Sequence, residues 1–306
     1  MILKIEVMKK LFYVSLWLVL IVVYSCEKDS IVKNKVLNIT TINQSKSQIV
    51  NVKLKSMEKK AFSIGCHVAS STTFNAKNKT FGYMDCGTQY CIIDIEAGRE
   101  IKKISLPVSI SLTVVDTIRN VLIGHYYING TEPNNGTDHV LTVSLNDGNV
   151  ISDKQFYVGG FWDATTSFFR DIENEYVLLR SDNVLVFVNP STGNIIRTLD
   201  IDTDLTQGIY DRKNNRLIGN TYSNETGKNY IVTVDINTGK TLSKVIAQGL
   251  GFHLAFEMDY DAETNCYVLV SDKNEVLFFD VATGKIKDRY QLDFDLTSLK
   301  LWRSKK

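Results

Sequence analysis

Short runs of alternating apolar and polar residues cover most of the chain, and five of them end in nearly the same turn. The five segments are CIIDIEAG (91–98), LTVSLNDG (141–148), VFVNPSTG (186–193), VTVDINTG (232–239) and LFFDVATG (277–284). In each, an apolar strand reaches an Asp, Asn or Ser, and a glycine follows four residues later. A short polar side chain accepts hydrogen bonds from the amides of its own turn, and glycine adopts the positive φ that closes it. The pattern therefore predicts five similar hairpins.

A second polar turn, set between two further apolar runs, precedes each of these hairpins. These segments are FNAKNKTFGY, VDTIRNVLIG, RDIENEYVLL, YDRKNNRLIG and YDAETNCYVLV. The two signatures give four antiparallel strands per repeat, and the turn glycines lie 50, 45, 46 and 45 residues apart. This period and strand content are typical of a β-propeller. A helical solenoid would need a 3.6-residue apolar period, which the sequence lacks.

The two ends of the sequence predict a sixth blade. LTSLKLWRS (296–304) lies where the next inner strand should begin after Gly284, and no sequence follows it to complete a blade. The other three strands can come from apolar runs near the N-terminus: VLNITTIN (36–43), QIVNVKLKS (48–56) and AFSIGCH (61–67). Joining both ends in one blade removes exposed sheet edges. We therefore expect an all-β protein, a six-bladed propeller over residues 35–306 with one composite blade.

The turn segments carry a resemblance to known propeller repeats. VDINTGK and FDVATGK resemble the repeat of YVTN and quinoprotein-like propellers, and the likeness covers roughly residues 69–306. Those families share a fold and differ in function, so the resemblance implies a propeller and not an activity. Quinoprotein dehydrogenases also place a tryptophan shortly after this turn. None of the five copies has one, which argues against a quinone cofactor.

The N-terminus differs in composition from the rest of the chain. Lys4, Lys9 and Lys10 precede an apolar run over residues 11–24, and Cys26 follows it. The run is shorter than the roughly 20 residues that a membrane-spanning helix needs, so it is typical of a secretory signal. An ordinary cysteine beside a signal peptide, or a poor membrane helix, is the alternative.

Two short motifs around Cys26 indicate a lipid anchor. VYSC resembles a lipobox, although Tyr24 stands where a small residue is usual, and EKDS resembles the tether of Bacteroidota lipoproteins. The resemblance implies a lipoprotein signal peptide over residues 1–25, acylation of Cys26 and a lipidated tether over residues 26–34. It also implies attachment to the outer membrane, with exposure on the cell surface or, alternatively, on the periplasmic face.

Charge and cysteine content limit the remaining choices. The 35 basic and 34 acidic residues nearly cancel, which disfavours nucleic acid as a partner. An exported protein can oxidise its cysteines, and DCGTQYC would bring Cys86 and Cys91 together across a hairpin as a disulfide. Two reduced buried thiols are the alternative.

The candidate binding residues fall in loops that share one face of a propeller. Loops between the second and third strands of a blade, and loops between blades, open together around the central channel. The candidates there are His67, Tyr126, Trp162, Asp163, Arg180, Phe252, His253 and Asp272. Aromatic and polar side chains in this arrangement suit a glycan, a peptide or a partner protein. The alternative is that they only pack the channel.

Neither a metal site nor a catalytic motif stands out. His67 and His253 lack metal-ligand spacing, so we expect no metal from them. Asp200, Asp202 and Asp204 resemble a calcium loop, but Leu205 occupies its glycine position and a solvated loop is the better interpretation. No hydrolase elbow, zinc-protease, Walker or dinucleotide motif is present. We expect no cofactor, with calcium as the weaker alternative.

These patterns favour a binding or scaffolding module anchored by lipid in the cell envelope, with a glycan or protein as its partner. An enzyme acting from the loop face, such as a lactonase-like hydrolase or a lyase, is a second hypothesis, because propeller enzymes assemble their acids and bases from different blades. A component of envelope assembly is a third.

Overall fold

The computed structural model describes residues 35–65, 68–85, 87–129, 136–158, 164–250 and 258–305. These residues form 24 β-strands and one 3₁₀ turn, Gln44–Lys46. The strands pair into six antiparallel sheets of four strands each, which confirms the six-bladed propeller. Residues 1–34 lie outside the described part of the chain, so the signal peptide, the tether and acylation of Cys26 stay predictions. No helix within the described part is long and apolar enough to cross a membrane.

Strands from both ends of the chain form blade 6. They are β1 (Lys35–Asn43), β2 (Gln48–Lys53), β3 (Glu58–Ser63) and β24 (Leu299–Lys305). Blade 1 contains β4 (Val68–Asn75), β5 (Thr80–Met84), β6 (Gln89–Asp94) and β7 (Arg99–Ser105). Blade 2 contains β8 (Ser111–Asp116), β9 (Val121–Ile128), β10 (Thr137–Ser144) and β11 (Val150–Val158).

The other three blades follow the same order along the chain. Blade 3 contains β12 (Ala164–Arg170), β13 (Glu175–Arg180), β14 (Val184–Val188) and β15 (Ile195–Asp200). Blade 4 contains β16 (Gln207–Asp211), β17 (Arg216–Ser223), β18 (Lys228–Asp235) and β19 (Thr241–Ile246). Blade 5 contains β20 (Met258–Asp261), β21 (Cys266–Val270), β22 (Glu275–Asp280) and β23 (Ile286–Gln291). In blades 1 to 5 the first strand is the inner one and the fourth is the outer one, whereas in blade 6 the inner strand is β24 and the outer strand is β3.

Blade 6 closes the ring as its sequence predicts. β24 pairs antiparallel with β1, with Leu301 opposite Ile39 and Trp302 opposite Asn38. Leu299 and Leu301 pack toward blade 5, whereas Trp302 packs toward blade 1, as a period of two requires. The Trp302 indole also donates a hydrogen bond to the buried Thr40 hydroxyl at 2.9 Å. The last strand is therefore part of the core.

The third N-terminal strand is displaced from its predicted position. It spans residues 58–63 and not 61–67, and it begins with the exposed residues Glu58, Lys59 and Lys60. The apolar run at 61–67 misled the prediction because an outer strand needs little burial to pair with its neighbour. β3 follows the register of β2 through Glu58 opposite Lys53.

Apolar clusters between neighbouring blades form the core. Six such clusters occur in the described residues, one for each junction around the ring. Between blades 3 and 4, for example, Phe187 and Leu185 pack with Val232, all fully buried. Each buried side chain of this size stabilises the fold by roughly 1.5–3 kcal/mol before entropy is counted. Every blade therefore depends on both neighbours.

The repeated turns have the geometry that their residues predict. The turn glycines all have positive φ, from 67° to 81°, at Gly98, Gly148, Gly193, Gly239 and Gly284. The Asp94 carboxylate accepts hydrogen bonds from the amides of Glu96 and Ala97, and the Gly98 amide donates to the Asp94 carbonyl at 2.8 Å. These turns lie between the third and fourth strands, on the face opposite the candidate loops. We call the face with these turns the turn face, and the opposite face the loop face.

Candidate functional site

A polar cavity of about 520 Å³ lies on the axis of the ring. All six inner strands, or the residues just before them, contribute to its walls, and most of the contributed side chains carry hydroxyl or amide groups. The polar lining residues are Thr72, Thr113, Thr165, Thr166, Ser167, Gln207, Thr297, Ser298 and Lys300. Because each inner strand has one neighbour in its own sheet, its other edge faces this channel. We call this space the axial cavity.

Hydroxyl groups connect neighbouring inner strands around the axial cavity. Thr72 and Ser298 share a hydrogen bond of 2.9 Å between blades 1 and 6. The Gly208 amide donates to the Thr166 hydroxyl at 3.1 Å between blades 4 and 3. Ser167 then donates to the Leu112 carbonyl at 2.6 Å, between blades 3 and 2. These bonds fix the walls of the cavity in one arrangement.

Three hydroxyl oxygens of the cavity walls have no hydrogen-bond partner among the described residues. They belong to Thr113, Thr165 and Thr297, which line the cavity, and each oxygen is itself buried. A buried hydroxyl without a partner costs roughly 1–3 kcal/mol. Rotation of these side chains towards the cavity would give each hydroxyl a partner on a bound ligand.

One buried carboxyl group adds charge near the cavity. Burial raises the pKa of Asp259 on β20, while Lys300 and the amide of Leu301 oppose that rise. The Leu301 amide donates to the Asp259 carboxylate at 2.6 Å, which joins blades 5 and 6 at the axis. Among the described residues, Lys300 is the one charged residue that lines the axial cavity, and the nearby Asp259 offsets its charge, so the site suits a neutral, hydroxyl-rich ligand better than an anion.

The structure describes three of the eight binding residues that the sequence predicts. Tyr126 lies in β9 and packs among apolar residues, with its hydroxyl donating to Asp153 at 2.8 Å. Burial, and then Asp153, raises the pKa of Tyr126. Arg180 ends β13 and forms an ion pair with Asp182 at 2.8 Å, and Asp272 is exposed in the turn after β21. All three lie toward the loop face, but none lines the axial cavity.

Five predicted residues lie outside the described part of the chain, and their proposed role stays a prediction. They are His67, Trp162, Asp163, Phe252 and His253. Cys86 also lies outside it, so its disulfide with Cys91 stays a prediction as well. Cys91 itself is buried in β6 as a thiol, and burial raises its pKa.

The acidic run over residues 200–204 forms part of a loop between blades. Thr241 donates to Asp202 from its amide at 2.8 Å and from its hydroxyl at 2.6 Å. Asn183 donates to Asp204 at 2.7 Å. Within the described residues, no group of three histidine, cysteine, aspartate or glutamate side chains is placed to hold a metal ion. The contacts show these carboxylates joining blades 3 and 4.

Sequence reasoning missed the hydroxyl groups of the inner strands. Threonine and serine are common in β-strands, so their presence in the sequence did not indicate a binding site. Their positions could have indicated the site, because small polar residues lie at or just before the start of inner strands, as in ATTS (164–167) and TS (297–298). His125 lies within β9, where it contacts Ser111 and Asp138.

Comparisons with known proteins show the fold alone. No protein-family model matches the chain, and no curated protein matches it. A protein of unknown function from Bacteroides caccae superposes with a TM-score of 0.63 at 10% identity, covering 89% of this chain and 100% of that one. A structure of a nidogen–laminin complex superposes with a TM-score of 0.61 at 12% identity, covering 87% and 98%. Since 1397 chains of solved structures match, the likeness does not select a function.

Proposed function

We propose that the protein is a binding module of the cell envelope, held by lipid at Cys26, that binds a neutral hydroxyl-rich ligand such as a glycan at the axial cavity. The observation that carries the proposal is the convergence on one cavity of about 520 Å³ of hydroxyl groups from four blades and the Gln207 amide from a fifth. Three of these oxygens have no partner among the described residues. Sugar hydroxyls donate and accept hydrogen bonds, so they complement such a wall.

The binding proposal is tested by removing hydroxyl groups without changing side-chain volume. Thr113→Val and Thr165→Val each delete one unpartnered hydroxyl from a residue that lines the cavity. A glycan array of neutral and acidic oligosaccharides, followed by calorimetry on each hit, gives the affinities. Each lost hydrogen bond is worth about 0.5–1.5 kcal/mol, so we expect the double variant to bind a neutral hit about tenfold or more weakly.

Two controls complete this experiment. Thr238→Val deletes an exposed hydroxyl on the turn face and should leave the affinity unchanged. Thermal unfolding separates loss of binding from loss of fold. Binding of acidic oligosaccharides alone, or equal affinities in the double variant and the parent, would contradict the proposal.

The anchor is proposed from the sequence motifs around Cys26 and has its own test. A Cys26→Ser variant should stay unprocessed and lose its acyl chains, and intact-mass analysis should show the change. Protease treatment of whole cells then distinguishes the outer surface from the periplasmic face. A variant that is processed and retained in the membrane like the parent would contradict the assignment.

A scaffolding role is the second candidate, favoured by the outer rim. Aliphatic side chains are exposed on outer strands of successive blades, with Ile151 on β11 and Leu242 on β19 each 58% exposed. Apolar side chains at exposed strand edges suit contact with another protein, including an envelope-assembly partner. Ile151→Lys with Leu242→Lys should then abolish cross-linking to membrane proteins, while glycan binding remains. Unchanged cross-linking would contradict the scaffold.

A further inference from the structure

A second cavity, of about 760 Å³, lies beside the inner strand of blade 2, and a serine and a histidine are among the residues that line it. Ser111 and His125 line it, and Asp138 lies behind the histidine. We propose that these three residues form a hydrolytic site for small carboxylic esters, with Ser111 as nucleophile and His125 as base. This activity goes beyond the proposed binding at the axial cavity.

Asp138 fixes the protonation pattern of the histidine ring. Its carboxylate lies 2.6 Å from His125 Nε2, and both side chains are almost fully buried. A carboxylate only accepts hydrogen bonds, so Nε2 carries the proton and Nδ1 keeps its lone pair. Nδ1 lies 3.5 Å from the Ser111 hydroxyl oxygen. The lone pair is therefore available to the hydroxyl of Ser111, which also lines the cavity.

The serine oxygen has a second acceptor nearby, the carbonyl of His125 at 3.3 Å. Rotation about the Cβ–Oγ bond directs the proton to either acceptor. Catalytic hydrogen bonds are often long before substrate binds and shorten in the complex. A separation of 3.5 Å between nucleophile and base is therefore compatible with catalysis.

The backbone beside Ser111 is strained and held in place. Leu112 has a φ of 51°, a left-handed conformation that costs a residue with a side chain about 1–2 kcal/mol. Ser167 and Tyr176, from blade 3, donate to its carbonyl at 2.6 Å and 2.7 Å. From blade 1, Ser71 donates to the carbonyl of Ile110 at 3.0 Å. Strain of this kind persists where surroundings over-determine it, and it clusters at active sites.

Close packing surrounds the histidine ring and the segment before Ser111. Phe156 contacts the ring edge-on, with centroids 6.0 Å apart. Gly124 precedes His125, and a Cβ there would approach Ile110 Cδ1 to 2.7 Å. A buried His–Asp pair that served only packing would need neither a strained serine segment nor a cavity beside it. The combination favours a reactive site.

The proposed reaction is acyl transfer followed by hydrolysis. Ser111 Oγ forms a bond to the ester carbonyl carbon as its proton passes to His125 Nδ1. The ester C–O bond then breaks, and the alcohol leaves with that proton. Water, deprotonated by the same nitrogen, attacks the acyl-serine and releases the carboxylic acid and the free hydroxyl. Val108, Ile110 and Ile128 line the cavity, so short aliphatic acyl groups fit it.

The test uses the purified full chain with p-nitrophenyl acetate and a fluorophosphonate as probes. We expect turnover of the ester and covalent labelling of Ser111, located by peptide mass spectrometry. Ser111→Ala should abolish both. Ser105→Ala is the matched control, because Ser105 is exposed on β7, the outer strand of blade 1, and lies outside the cavity. It should leave turnover within about twofold of the parent.

Asp138 acts as a positioning residue, and Asp138→Asn tests that role. Because the asparagine would favour the wrong tautomer, kcat should fall on the order of 10³-fold while KM stays constant. Melting curves show whether each variant is folded. Absence of turnover and labelling in the parent, labelling at another serine, or full activity in Ser111→Ala would overturn the proposal. Glycan binding should persist in Ser111→Ala, so the two proposals can fail separately.

Discussion

On the turn face, the hairpins between third and fourth strands repeat one geometry around the ring, whereas on the loop face the connections differ from blade to blade. Five of the turn-face hairpins place a glycine at positive φ. The loop-face connections between second and third strands range from residues 181–183 to residues 129–136. The regular turns satisfy the hydrogen-bonding groups of their own backbone, so the same residue types recur in them. The irregular loops and the ends of the inner strands carry different side chains in each blade. Specific binding is therefore expected on the loop face.

The composite blade shows that the turn face is regular even where its sequence is not. The Met57 amide donates to the Lys53 carbonyl at 2.8 Å, the same bond that Gly98 makes with Asp94, and Met57 has a φ of 55°. This sixth turn has neither the Asp, Asn or Ser nor the glycine that the other five turns share. Backbone pairing of β2 with β3 therefore imposes the turn, although its residues do not favour this conformation.

The largest effect is expected from breaking the composite blade. Deleting residues 294–306 removes β24, and with it Trp302 and Leu299 from two apolar clusters. Two blades would lose a packing partner and one edge of the ring would open. We expect loss of cooperative unfolding and aggregation, measured by denaturant titration and light scattering.

A peptide of residues 294–306 provides the control for this deletion. Added in excess to the truncated chain, it should restore a cooperative transition if β24 acts by pairing with β1. A truncated protein that stays monomeric and melts within a few degrees of the parent would mean that the ring closes without β24.

A smaller and local effect is expected from the turn glycines. Gly284 has a φ of 68°, and an added Cβ would lie 1.9 Å from the Ile246 carbonyl oxygen. Gly284→Ala should lower the free energy of unfolding by about 2–4 kcal/mol, since both strain and overlap must be relieved. Gly65→Ala is the loop-face control, because no atom of the described residues lies within 4 Å of the new Cβ. It should change stability by less than about 0.5 kcal/mol. Equal effects would remove the distinction between the faces.

The fold could be predicted from the sequence because each propeller turn is specified by residue types that lie within a few positions of one another. The Asp94-to-Gly98 spacing predicts a turn without knowledge of distant contacts, and its repetition at a 45-residue period gives the blades. The site was harder to predict. Thr113, Thr165 and Thr297 come together only because three inner strands meet at the axis, and Ser111 reaches His125 through strand register. Such contacts depend on ring geometry, which no short motif encodes.

The smallest predicted effect concerns the charge of one turn aspartate. The ammonium group of Lys287 holds the pKa of Asp280 below its ordinary value of 3.8, with the Thr283 hydroxyl and amide contributing. A carboxyl group whose pKa is lower in the folded state stabilises the fold above its unfolded-state pKa. That stabilisation is lost as the pH falls through the folded-state value. Asp280→Asn should therefore be slightly less stable than the parent at pH 7, and equal to it well below pH 3.8.

Two substitutions at Asp280 separate charge from turn geometry. An asparagine oxygen can still accept the bonds from the amides of Ala282 and Thr283, so Asp280→Asn removes only the contact with Lys287. An exposed pair of this kind is worth about 1 kcal/mol or less. Asp280→Ala also removes the turn bonds, so its deficit should remain at low pH. Denaturant titrations at pH 7 and at a pH below the folded-state pKa of Asp280 measure both. If the asparagine variant kept its full deficit in acid, the turn would be held by the shape of the side chain and not by its charge.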